Sequence, residues 1–171
     1  MSVHWRHHPR LKGRFHEQAP DDIQVLVHDG GPRLSRVKPE VVWVRVTSGD
    51  GDLLGGTVLN RPKELATVSA GATIRFKVPA SGELPLLVTD RYLSERPDWI
   101  IQPCSRCGLT ELFDAPSDLL RVVFPPGAEQ MEPEVFTAIC GWCGGVQVVQ
   151  RVGTEAFEPA AGRKRWWQFW R

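Results

Sequence analysis

Four cysteines arranged as two copies of one motif constrain this chain more than any other feature. Cys104-Ser105-Arg106-Cys107-Gly108 and Cys140-Gly141-Trp142-Cys143-Gly144 contain every cysteine of the 171 residues, with residues 108 to 139 between the pairs. A Cys-x-x-Cys pair puts two thiols on one tight turn, and a glycine after it can take the positive φ that aims backbone N–H groups at the sulfurs. Two such pairs supply four thiolates, the donor set of a closed tetrahedral zinc site. The spacing therefore predicts one structural zinc ion per chain, held by Cys104, Cys107, Cys140 and Cys143. Closed coordination leaves no position for a substrate or an activated water. The competing reading is a metal-free pair of redox dithiols, but those open a helix in a βαβ setting and need no duplicate.

The rest of the chain reads as β-rich. Fourteen prolines and sixteen glycines interrupt every stretch long enough for a long helix, which argues against a helical bundle. Ile23, Val25 and Val27 alternate with other residues and run into the turn Asp29-Gly30-Gly31-Pro32. The run Val41 to Thr47 is β-branched and aromatic, and after the turn at 48–52 it pairs back through Leu53 to Leu59, with Gly55-Gly56 expected at a bulge. Thr73 to Val78 alternates as a half-buried strand. One helix is expected over Thr89 to Arg96, capped by Thr89 or Asp90 and stopped by Pro97. Between the cysteine pairs, Leu109 to Phe113, Leu119 to Phe124 and Phe136 to Ile139 read as strands, and Val146 to Val149 as the strand leaving the second knuckle.

These readings give a mainly β (β-dominated α+β) chain: a small antiparallel sheet or partly closed barrel followed by a zinc ribbon. The expected organisation is a flexible basic arm over 1–20, a small β domain over 21–102, a zinc-ribbon unit over 103–152, and a linker with a Trp/Arg-rich tail over 153–171. Trp43, Phe76 and Trp99 are expected in the core of the β domain.

The net charge of +1 conceals an asymmetry. Arg6, Arg10, Lys12 and Arg14 lie in residues 1–16, and Arg163, Lys164, Arg165 and Arg171 in residues 162–171, with no acid in either segment. Of the 21 Lys and Arg, these eight leave 13 for the body against all 20 acids, a net of −7. An acidic body argues against a general phosphate-backbone binder, so contact with nucleic acid is expected at the basic ends. The tail combines Arg163, Lys164 and Arg165 with Trp166, Trp167, Phe169 and Trp170. Such a segment suits capture by a protein partner or by the protein's own body, a lipid interface, or stacking on single-stranded nucleic acid. No run of 18 apolar residues and no signal-peptide pattern is present, so the expected location is the cytoplasm.

No catalytic constellation emerges. His4, His7 and His8 lie in the arm without an ordered carboxylate, His28 beside Asp29 has no nucleophile placed by a motif, and Asp114 to Asp118 reads as turn and capping chemistry. Motifs for phosphate or dinucleotide binding and the nucleophile elbow are missing.

The runs Val42-Trp43-Val44-Arg45-Val46, Gly56-Thr57-Val58-Leu59-Asn60-Arg61-Pro62, Gly71-Ala72-Thr73-Ile74-Arg75-Phe76 and Asp98-Trp99-Ile100 resemble the bacterial YegJ-like family, a domain of unknown function. The likeness covers about residues 40 to 101 and departs from the family pattern at Ala72, where the family tends to have Asp. In outline the chain is also similar to small immunity-type proteins of bacterial toxin systems. The resemblance implies a β fold and a non-enzymatic role and carries no catalytic residue. The function expected from the sequence is a zinc-stabilised adaptor or regulatory protein that recognises a protein partner, with the tail as one contact. A nucleic-acid-associated ribbon protein is the alternative, and an enzyme or enzyme accessory subunit comes third.

Overall fold

Alternation of β-branched residues sets the first sheet. In the computed structural model, which describes residues 4–81, 84–124 and 133–155, β1 (Phe15–His16), β2 (Ala19–Val27), β3 (Glu40–Asp50), β4 (Leu53–Val58), β5 (Thr73–Lys77) and β6 (Leu86–Leu87) follow one another in spatial order. Neighbours along that order are antiparallel, and a single parallel bridge, Leu26 to Leu86, brings β6 back to β2 and partly closes the ring. Ile23, Val25 and Val27 point inward to meet Val42, Val44, Leu54 and Phe76, all almost completely buried. The architecture is the β-dominated, partly closed one read from the sequence.

The expected bulge lies on the facing strand. Val46 pairs with Gly56 and Ser48 with Gly55, so Thr47 is the extra residue on β3 opposite the two glycines. A β-carbon on Gly56 would overlap the Arg45 carbonyl oxygen, and one on Gly55 would sit 2.6 Å from the Ser48 hydroxyl. The glycines are needed for close approach, while the bulge forms where the longer strand must absorb the twist.

A second, three-stranded sheet has the order β7 (Trp99–Ile101), β9 (Val146–Arg151), β8 (Val135–Ile139), all antiparallel. Helix α1 (Asp90–Glu95) begins where the Thr89 hydroxyl accepts the Tyr92 amide, and Pro97 falls in a 3-10 turn (Arg96–Asp98) that ends it. Trp99 belongs to this second core, edge-on to Phe136 at 5.4 Å, and not to the first sheet. Trp43 is only half-buried on the outer face of β3, where the His16 ring packs edge-on at 5.2 Å. Phe76 alone of the three expected core aromatics fills the first core.

Three other expectations are corrected. Leu119 to Phe124 is not a strand: Pro116–Val123 forms helix α2. Pro116 in its first turn needs no N–H partner, and Leu119 and Leu120 are buried while Val122 and Val123 face solvent, a helical division of one apolar run. Leu109 to Phe113 forms no strand either; its apolar side chains pack into the cores as an irregular segment. The arm expected over 1–20 is also ordered from residue 4 onward. Leu11 is 1% exposed in the first core, His8 is buried with Nε2 3.0 Å from an Asp52 oxygen, Arg10 also pairs with Asp52, and Arg6 pairs with Asp21 at 2.6 Å.

Candidate metal centre

The two cysteine motifs sit at the ends of strands of the second sheet. Chain leaving β7 enters the first knuckle, and the β8–β9 hairpin turns through the second. Both knuckles close identically: the Cys104 amide donates to the Leu109 carbonyl at 2.9 Å and the Cys140 amide to the Gly145 carbonyl at 2.8 Å. The Gly108 and Gly144 amides donate back to the carbonyls of Cys104 and Cys140. Gly108 has φ of 73° and Gly144 of 72°, the conformation for which the motif requires glycine.

This repeated geometry brings all four thiols to one point. The Cys104 and Cys143 sulfurs are 3.4 Å apart, those of Cys107 and Cys140 are 3.8 Å apart, and all four lie within 4.8 Å of one another. None is in a disulfide. Among the described residues this is the one group of three or more His, Cys, Asp or Glu side chains placed to hold a metal ion. Cys104 and Cys140 are buried beside Leu26, Leu86, Leu109 and Phe113, so the cluster rests on the outer face of β2 and β6. The thiols differ in their electrostatics, and burial pushes Cys107 up. Burial pushes the Cys104 thiol up, but the Cys107 and Arg106 amides donating to its sulfur outweigh this and bring it down to about 7. Burial, with the neighbouring Cys107 and Cys104 thiols, pushes Cys140 well up, a penalty on its thiolate that a cation among the sulfurs would remove.

The sequence did not single out two residues that hold the centre together. Gly145 packs its backbone against the Cys104 sulfur and donates its amide to the Cys143 sulfur at 3.4 Å. Arg106 crosses from the first knuckle to donate to the Cys143 carbonyl at 2.9 Å. The double glycine Gly144-Gly145 was the readable signal for the first; nothing local marks the second.

The other sequence candidates are dispersed. His4 stacks on Trp5, with ring centroids 4.1 Å apart, while His8 is held by Asp52. His28 and Asp29 face different partners: His28 Nε2 lies 2.9 Å from the Leu87 carbonyl, and Asp29 accepts the Ala66 and Thr67 amides. Both oxygens of Asp114 accept the Gly31 amide, and Asp118 pairs with Arg91 at 2.9 Å. Arg163, Lys164, Arg165, Trp166, Trp167, Phe169 and Trp170 lie outside the described residues. No helix among the described residues is long and apolar enough to cross a membrane. Comparison of the chain with models of known families, with curated proteins and with solved structures gives no match.

Proposed function

We propose that this chain is a non-catalytic binding protein whose second sheet is stabilised by one zinc ion on Cys104, Cys107, Cys140 and Cys143, and that it recognises a protein partner with residues 163–171 as one contact. The convergence of the four sulfurs carries the reading. Zn–S bonds of about 2.3 Å make a tetrahedron with edges of about 3.8 Å, close to the spacings of 3.4 and 3.8 Å here. A bound zinc would tie the two knuckles into one unit, and four protein ligands would leave no open position for catalysis. Free thiols fit a reducing compartment, in keeping with the cytoplasmic expectation. The tail's Trp and Arg are the residues that most often carry interface energy.

Deleting residues 163–171 tests the partner half of this reading. Zinc content and thermal stability should stay nearly unchanged while association with the partner is lost. Loss of folding would show that the segment packs on the protein's own body, and retained association would remove it as a contact. Binding to anionic vesicles that disappears with the deletion would assign the segment to a membrane surface.

A further inference from the structure

Beside the second knuckle lies an open cleft of about 370 Å³, a size common for ligand sites. The loop after β2 forms one wall with Pro32, Arg36 and Lys38, and Cys140, Gly141 and Trp142 form the other. Among the described residues no carboxylate lines it. Both walls are fixed from below by one dipeptide. Asp114 holds the Gly31 amide with both oxygens at 3.0 and 2.9 Å, and Gly141 lies against the Phe113 ring, where a β-carbon would come within 3.0 Å. Trp142 is 47% exposed, and Arg36 and Lys38 are exposed with no ion pair among the described residues. Arg106, also exposed, reaches the rim of the same knuckle.

We propose that this cleft binds single-stranded nucleic acid, with phosphates on Arg36 and Lys38 and a base stacked on Trp142. A groove that sets an exposed indole beside cations with no ion pair among the described residues matches what a nucleotide offers, a diffuse anion joined to a planar ring. An acidic peptide supplies the charge without the ring. The cleft uses no residue of 163–171, so the proposal goes beyond the partner contact proposed above. The cations have one competing role, because zinc with four thiolates carries a net charge of about −2 that nearby Arg and Lys would balance.

The test uses full-length, zinc-loaded protein and a fluorescein-labelled 12-nucleotide oligothymidine, titrated by anisotropy from 50 to 200 mM salt. Trp142→Ala should raise Kd by about five- to a hundredfold and Trp142→Phe should recover most of the loss. The double variant Arg36→Ser/Lys38→Ser should weaken binding and lower the slope of log K against log salt by about 1.4, roughly 0.7 for each phosphate contact. Zinc content should be unchanged in all three. Four results would overturn the proposal: no binding at 50 mM salt; binding indifferent to these variants but lost when Arg163, Lys164 and Arg165 are neutralised; zinc lost with the cations; or a poly-glutamate peptide that binds in a Trp142-dependent way and displaces the oligonucleotide.

Discussion

Gly145 runs so close to Cys104 that a β-carbon on it would lie 2.6 Å from the Cys104 sulfur and 3.0 Å from the Arg106 side chain. The backbone here is part of the wall of the sulfur cluster. Gly145→Ala should therefore push Cys104 off the common centre and reduce zinc retention, read by elemental analysis after dialysis. Full retention would show that the knuckle has room to shift.

Glu111 is 2% exposed and joins the two sheets. Lys77 on β5 lies 3.0 Å from one oxygen, and Arg96 at 3.0 Å and the Tyr92 hydroxyl at 2.5 Å meet the other. Burial, with the Glu111 charge, pushes the Tyr92 phenol far up, so it stays a donor. Glu111→Ala removes the acceptor from three donors at once and should cost about 3–5 kcal/mol by denaturant unfolding. A loss below about 1 kcal/mol would mean that water replaces the carboxylate.

Phe76 and Trp43 test which face of the first sheet is core. Phe76 is 0% exposed, so Phe76→Ala should cost about 3–5 kcal/mol. Trp43, half-buried on the outer face, should cost clearly less on the same change. Equal losses would contradict the assigned register.

Asp52 gives the N-terminal segment a pH dependence. Burial alone would raise its carboxyl, but hydrogen bonds from Arg10 and His8 and their charges bring it below its ordinary value of 3.8. A depressed carboxylate stabilises the fold above the unfolded value and loses that contribution as pH falls through the folded one. Amides of residues 5–8, 10 and 11 should thus lose protection relative to the β3 amides below about pH 3.8, before the sheet itself opens. Exchange at a constant ratio to the β3 amides would show that the segment does not loosen on its own.

The sheet and the knuckles were legible because their signals are local. Alternation at Ile23, Val25 and Val27 fixes an inner face, and the paired Cys-x-x-Cys-Gly motifs fix their own turns. What escaped depends on distant partners. Residues 4–14 carry no period, yet Leu11 fills the first core, and Asp21 and Asp52 hold Arg6, His8 and Arg10. Leu119-Leu120-Arg121-Val122-Val123 has strand-type composition, and the proline before it together with burial on one side made it a helix. Trp99 looked like the end of the first sheet, but its register partner, Arg151, lies 52 positions along the chain, with its guanidinium 5.4 Å over the indole ring.

Metal content bears most directly on the central claim. Full-length protein purified without added metal should carry about one zinc per chain by elemental analysis, and Ser at any of Cys104, Cys107, Cys140 or Cys143 should lower that content and destabilise the second sheet, since structural zinc supplies on the order of 10 kcal/mol to small domains. Protein that is folded, monodisperse and metal-free, with all four thiols titrating as free cysteines, would contradict the account.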